Sequence, residues 1–448
     1  MRCPRLILAL TCSAAATASL ASADPSGGGA ATLGQLALQK VLRDSRDVFG
    51  AEDDDNEKSS APHPYADWMA RVPDDTPLAR LSIPGAHDAA TWNYTQATQD
   101  ALACLTYSCH SNPSSSSSSS SCSSCSPSCC NGNGSSDLLL LPIPPAQVFR
   151  TQRRSIAAAL DAGVRFFDLR FAGDGLGQQG RGLAFWHGAA LLSARADVEG
   201  VMLAVYAWLE RRPSESVLLS FQYEGGGGGG AGFDEGVQGM LKRVLGSEGA
   251  SRYVRRGRGR LGSMGESRGK IVLLKRFDMD GDEDDDEDGE KAGGLPGLHL
   301  SPAKWPDNNP SGFELVYNAT SGERACIEDY YGPATAGANS SVAEIVRAKM
   351  AAVKAHLEKA AAATTATSTT EEEDSLFITF ASGKRNANVP PVFPETMALG
   401  NGTDVTPDGG VNHQLAALLR EMRGRRLGIV VVDFFDEPGD LVELILGS

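Results

Sequence analysis

Beyond the N-terminus, no apolar run approaches the roughly 20 residues that a bilayer-crossing helix needs, so no transmembrane segment is expected. Cysteine is sparse, nine in 448 residues, which excludes a small disulfide-stapled scaffold. Aromatic residues make up only 6%, and 41 Lys and Arg are outnumbered by 56 Asp and Glu. The resulting formal charge of −15 opposes a nucleic-acid partner, whose phosphates it would repel. That acidity is local. Eighteen acids lie in Glu52–Asp55, Asp278–Glu290 and Glu371–Asp374, and without these three runs the balance is +3. The charge therefore says little about any other partner.

What is present is length and glycine: 50 Gly, 23 Pro and 41% hydrophobic residues, enough for one large domain carrying insertions or for two ordinary ones. Residues 1–23 read as a secretory signal. Arg2 and Arg5 precede the apolar stretch Leu6–Leu10, and Ala21-Ser22-Ala23 supplies a small-x-small cleavage site before Asp24. The chain is expected to be secreted and extracellular, with a low-complexity segment, 24–64, after the signal and a folded body over 65–448.

Cysteine usage fits an oxidising compartment. Cys104, Cys109, Cys122, Cys125, Cys129 and Cys130 crowd around the polyserine run Ser114–Ser121, as in a local disulfide knot whose pairing the spacing does not fix; Cys326 stands apart. Cys122-x-x-Cys125 lacks a second CxxC or a flanking His at finger spacing, so zinc is not expected. Asn93, Asn133, Asn318, Asn339 and Asn401 are N-glycosylation sequons. Four stretches of the body, about 108–136, 225–232, 278–294 and 359–374, are rich in Ser and Cys, Gly, acid, and Ala and Thr in turn. They are too poor in apolar residues to build a core and read as surface insertions. The acidic one is no EF-hand loop: Glu283 stands where the turn needs Gly and Gly289 where calcium needs Glu.

Eight short apolar runs predict strands: 80–84, 164–171, 183–186, 216–222, 270–277, 324–328, 376–381 and 427–434. Several are continuous rather than alternating, the pattern of strands buried on both faces. Helical spacing predicts helices over 150–162, 195–212, 342–362 and 412–423. Together they suggest an α/β fold with a closed, mostly parallel (β/α)8 barrel of the TIM type, an open doubly wound sheet being the competing architecture.

Chemistry gathers at the ends of these runs: His87 and Asp88 after the first, Asp168 and Arg170 in the second, His187 after the third and Asp433 in the eighth. Parallel barrel strands point their C-terminal ends at one mouth, so these groups can share a site. Two imidazoles beside a phosphate make a general base and a general acid. A guanidinium between them can bind phosphate oxygens and stabilise a pentacoordinate transition state, while carboxylates fix the imidazole tautomers. His63, His110, His299, His356 and His413 close no strand and read as surface or packing residues.

In order along the chain, LSIPGAHDAAT, GVRFFDLRF, FWHG, RGKIVLLKRF, WPDN, CIEDYY and GIVVVDFF resemble the phosphatidylinositol-specific phospholipase C X-domain family, nearest its bacterial-type secreted members. The resemblance spans about residues 65–448 apart from the insertions. It implies a distorted TIM barrel in which His87 takes the proton of the inositol 2-hydroxyl and His187 protonates the diacylglycerol oxygen. Arg170 would bind the phosphate, and Asp88, Asp168 and Asp433 would orient it and the two histidines. Arg276 and Asp329 would hydrogen-bond inositol hydroxyls, and Tyr331 would stack on the ring. Gln222 stands where the bacterial members place a lysine, so the head-group pocket differs there in charge. The implied partner is a phosphatidylinositol lipid at a membrane surface, with no cofactor and no metal, because Arg170 stands where calcium-using relatives place carboxylates.

Two other functions fit the same residues: a phosphodiesterase acting on another phospholipid or a glycerophosphodiester, and a non-catalytic binder of lipid head groups. A binder has no need of a paired acid and base.

Overall fold

A computed structural model describes residues 32–51, 64–108, 143–174, 182–224, 233–279, 294–334, 339–363 and 375–447, with only the backbone for 103–108. The six clustered cysteines, Asn133, His63, His110 and most of each assigned insertion lie outside the described residues or side chains. Two compact units are distinguished, residues 1–40 and 41–448. The described part of the first is the start of helix α1 (Leu33–Asp44), on which Leu33, Leu36 and Leu38 are exposed.

Among the described residues, the second unit is built on eleven strands: β1 (Ile83–Ala86), β2 (Phe166–Gly173), β3 (Leu183–His187), β4 (Ala190–Leu191), β5 (Ser216–Tyr223), β6 (Lys270–Arg276), β7 (Leu298–His299), β8 (Phe313–Asn318), β9 (Glu323–Glu328), β10 (Leu376–Phe380) and β11 (Ile429–Val432). They pair in the order β7-β6-β5-β2-β1-β11-β10-β9-β8, parallel throughout except for the β8–β9 hairpin. The first and last strands of the chain are thus neighbours, with Ile83 opposite Ile429 and Ala86 opposite Val432. The ends of this path nearly meet. Arg258 bridges Gly297 just before β7, and Asn318 at the end of β8 donates to the carbonyl of Gly259 at 3.0 Å. All eight expected runs contain a strand, and the sheet curls into a distorted barrel.

Alternation explains the continuous apolar runs. Ile83, Phe166, Leu218, Val272, Ile327, Ile378 and Val431 share one cluster, the barrel interior. Their neighbours Phe167, Leu219, Ile271, Leu273, Val430 and Val432 belong to the cluster under the surrounding helices. Those helices are α2 (Arg46–Phe49), α3 (Gln96–Ser108), α4 (Ile156–Ala162), α5 (Val198–Arg211), α6 (Glu235–Leu245), α7 (Glu248–Tyr253), α8 (Met264–Ser267), α9 (Val342–Ala362), α10 (Pro394–Leu399), α11 (Val411–Glu421) and α12 (Leu441–Leu446). Polar side chains set their starts: Ser155, Asp197 and Asp234 accept from the backbone N–H of the third residue of α4, α5 and α6, and Ser341 with Glu344 forms a capping box on α9. Where β2 begins, Arg165 is fully buried against Glu215 (2.8 Å), with its guanidinium 4.8 Å from the Trp208 ring centre.

Three expectations need correction. The third run is not a parallel barrel strand: β3 runs antiparallel to β2, with Phe185 opposite Phe171, and turns into β4. The helix expected from residue 150 starts only at Ile156, because Ser155 caps it and Thr151 and Gln152 point their side chains at backbone carbonyls elsewhere. The stretch 359–374, assigned to an insertion, begins inside α9, which continues to Ala362.

Candidate active site

His87 and Asp433 stand side by side because β1 and β11 are paired in register. Each follows its strand by one residue, and the His87 N–H donates to the Val432 carbonyl at 3.0 Å. Their side chains meet, His87 Nδ1 lying 2.7 Å from Asp433 Oδ1. Asp88, next in line, adopts φ 41° and ψ 52°, a left-handed conformation that Asp tolerates better than most residues. The turn is braced from the segment before α4. Thr151 Oγ1 donates to the carbonyls of His87 and Asp88, both at 3.1 Å, and Gln152 Nε2 to those of His87 (2.9 Å) and Val432 (3.0 Å).

Arg170 reaches this turn from β2 with a guanidinium almost wholly engaged. Its Nε lies 2.5 Å from Asp88 Oδ1, and Nη2 lies 2.9 Å from His87 Nε2 and 3.4 Å from Asp168 Oδ2. Its Nη1 lies 3.2 Å from Glu224 Oε1. Burial works against the Asp168 carboxylate, but Arg170, Arg276 and His87 outweigh it and hold its pKa below the usual range. Asp88 is pushed the other way, up to about 7, by burial that Arg170 and His87 only partly offset. His87, Asp88 and Asp168 offer three atoms within 4.8 Å of one another, a spacing that could hold a cation, yet each of the three is already in contact with Arg170.

His187 arrives by the antiparallel return of β3. Continuing the register Phe185–Phe171 brings it back from the rim to the level of Asp168 and Arg170. Its Nδ1 sits 2.8 Å from the Phe149 carbonyl and 3.3 Å from Asp88 Oδ2, which leaves Nε2 to face the site. Burial, Lys384 and Arg170 lower its pKa well below the ordinary 6.5.

Arg170, Gln222 and Arg276 occupy matching positions on β2, β5 and β6, a row of three along the strand ends. Gln222 Oε1 is buried and has no hydrogen-bond partner among the described residues. Arg276 lies over the Trp305 ring at 3.7 Å from its centre, with Asp168 at 3.7 Å and Asp329 at 3.9 Å. Trp305 Nε1 donates to Asp329 Oδ2 at 2.9 Å, Tyr331 Oη to Asp307 Oδ1 at 2.8 Å, and Asn308 Nδ2 to the Gly332 carbonyl at 2.9 Å. The WPDN motif is therefore the scaffold that aims Arg276, Asp329 and Tyr331. All ten expected site residues come together around one mouth. Of the other histidines, His299 pairs with Asp278 at 2.9 Å and buried His356 bonds Thr379 Oγ1 at 2.8 Å.

Sequence reasoning missed Glu224, Lys384, Thr151 and Gln152. Glu224 lies two residues past Gln222, and Lys384 three past the seventh run, so the strand-end rule that found His87 would have reached both. Thr151 and Gln152 carried no such signal, since the helical spacing absorbed them.

The strand order and the strand-end site define a distorted parallel barrel with its chemistry at the C-terminal mouth. That fold is shared with bacterial phosphatidylinositol-specific phospholipases C. A mutant of the Staphylococcus aureus enzyme aligns with a TM-score of 0.54 at 17% identity, over 86% of this chain and 96% of that one. The Listeria monocytogenes enzyme aligns at 0.50 and 17% identity, over 85% and 97%. Among curated sequences, the mouse PI-PLC X domain-containing protein 1 is 30% identical over 159 residues, 35% of this chain and 38% of its own length. The Listeria monocytogenes 1-phosphatidylinositol phosphodiesterase is 27% identical over 157 residues, 35% and 32%. The chain thus spans only 32–41% of the length of the curated relatives it matches. A scan against models of known protein families finds no match. The resemblance seen in the sequence is thus met again in both the sequence relatives and the fold.

Proposed function

We propose that this chain is a phospholipase C-type phosphodiesterase that cleaves the glycerol–phosphate bond of phosphatidylinositol or of glycosyl-phosphatidylinositol anchors. The observation that carries this reading is the convergence of two imidazoles and one guanidinium on a single buried carboxylate. Asp88 has Arg170 Nε at 2.5 Å on Oδ1, and on Oδ2 His87 Nε2 at 3.5 Å and His187 Nδ1 at 3.3 Å. His87 takes the proton of the inositol 2-hydroxyl, and the freed oxygen attacks phosphorus. The glycerol oxygen departs with a proton from His187, leaving a cyclic inositol phosphate and diacylglycerol. Arg170 offers donors to the equatorial oxygens as negative charge builds on them. Asp433 holds the His87 ring with Nδ1–H pointed away, so that Nε2 is the basic nitrogen. Arg276, Asp329 and Tyr331, with Gln222 in place of a cation, receive the inositol ring.

We further propose that the protein acts outside the cell, as the secretory-signal reading of residues 1–23 implies. Asn93, Asn339 and Asn401 are exposed and open to a glycan, whereas Asn318 has its amide committed to Gly259 and Glu323. No helix among the described residues is long and apolar enough to cross a membrane. Incubation with lipids of varied head group, followed by phosphorus NMR, tests the activity. A five-membered cyclic phosphate signal from phosphatidylinositol is expected. Turnover of choline or glycerol lipids alone would move the assignment to another phosphodiester, and binding without turnover would leave a head-group binder.

A further inference from the structure

Among the described residues, the mouth contains a cation that the reaction above does not use. Lys384 follows β10, and its backbone is fixed at two points: its own N–H donates to the Tyr331 carbonyl at 2.8 Å, and the Gly383 N–H to Asp433 Oδ2 at 3.3 Å. Gly383 is required there, because a Cβ would stand 2.6 Å from the Tyr331 carbonyl oxygen. The side chain turns into the site and brings Nζ to 3.5 Å from His187 Nε2. Among the described residues no carboxylate lies within ion-pair distance of that Nζ. A buried ammonium beside a nitrogen lone pair and short of an anion is a site that an anion completes.

We propose that Lys384 is a further catalytic residue, its Nζ donating to a non-bridging phosphate oxygen while His187 Nε2 faces the departing glycerol oxygen. The inference rests on the phospholipase reading for its substrate, though its anion-binding half stands on the geometry alone. With Nζ 3.5 Å from Nε2, an oxygen bonded to Nε2 on the side facing Lys384 is also within reach of Nζ, and Arg170 holds the other side of the phosphate. Lys384 transfers no proton: the P–O bond to glycerol breaks, His187 supplies the proton and the lysine stays an ammonium throughout.

The same contact times the acid. The groups facing His187 are the Phe149 carbonyl, Asp88 at the end of β1, His87, Arg170 on β2 and Lys384 after β10. In the free protein, burial and these cations keep the imidazole neutral. A phosphate anion arriving between Lys384 and Arg170 cancels their repulsion, so His187 takes up a proton from solvent as the substrate binds. The acid is thereby loaded only when there is a leaving group to protonate.

The test uses the whole protein and the variants Lys384→Met and Lys384→Arg, with thermal melting to show that each folds. Inorganic phosphate is the probe for the first arm. The His187 imidazole signal, followed by NMR against pH, should titrate at higher pH in Lys384→Met than in the parent, and the phosphate-induced rise should shrink. In the second arm, phosphatidylinositol turnover should fall on the order of 10²-fold in kcat for Lys384→Met. Lys384→Arg should restore part of it, and an aryl phosphodiester of inositol, which presents the same non-bridging oxygens, should lose a comparable amount. An unchanged phosphate response of His187 in Lys384→Met overturns the proposal, and so does undiminished turnover of both substrates by that variant. Should the parent protein turn over no inositol lipid at all, the phospholipase reading fails while the phosphate arm still decides whether Lys384 binds an anion beside His187.

Discussion

Arg170 Nη2 lies 2.9 Å from His87 Nε2. A guanidinium can only donate, so this contact requires Nε2 to be the unprotonated nitrogen and Nδ1 to carry the proton toward Asp433 at 2.7 Å. The resting site thus already holds the tautomer that a general base needs, with the guanidinium covering its lone pair. Phosphate binding, by drawing Arg170 onto its oxygens, would free that lone pair for the 2-hydroxyl.

Removing either imidazole should cost turnover without costing the fold. His87→Ala and His187→Ala are each expected to lower kcat on the order of 10²- to 10⁴-fold, with melting temperatures near that of the parent. Undiminished turnover in a well-folded variant would take that histidine out of the mechanism.

The acid side of the pH profile should belong to His87. Burial depresses its pKa, but Asp88 and Asp433 more than offset this and raise it above 6.5. The base acts when neutral, so kcat/KM should rise as pH climbs through a value above 6.5. Asp433→Asn removes one of the raising charges. The acidic limb should then shift to lower pH while the maximal rate falls, because the tautomer is no longer fixed. A limb that stays in place in Asp433→Asn would assign it to another group.

Activity should survive EDTA and EGTA. The His87, Asp88 and Asp168 cluster has the right atoms for a cation, but Arg170 already contacts all three residues and would repel one. Loss of turnover on chelation, restored by calcium, would show that Arg170 yields its place to the ion.

Glu215→Ala is a stability test away from the mouth. It leaves Arg165 buried and charged with only carbonyl partners and the Trp208 face, and should destabilise by about 3–5 kcal/mol in denaturant unfolding. Retained stability would mean that water or another group reaches Arg165.

The barrel and its chemistry were legible where a strand ended on a titratable residue, since both faces of each central strand are apolar and the strand-end residues stand out against them. His87, Asp168, Arg170 and Asp433 were found this way. His187 comes to the same mouth by a route the sequence does not show: the run LAFW before it shows burial but not direction, and the antiparallel return of β3 depends on a partner strand elsewhere. The bracing of the His87 turn by Thr151 and Gln152 could not be read, because a polar pair before a helix looks the same whether it faces solvent or a carbonyl 60 residues away. Lys384 stands three residues past its run, as His87 does past the first, and was legible by the same rule.

The pairing of β1 with β11 sets Ile83 opposite Ile429, and the His87–Asp433 contact depends on it. A contact so distant in sequence forms late, after most of the loop-closure entropy has been met. A nascent or C-terminally clipped chain could bury much of its sheet and still lack an oriented base. On the phospholipase reading proposed above, such a chain would be inert toward lipid until its last strand is in place.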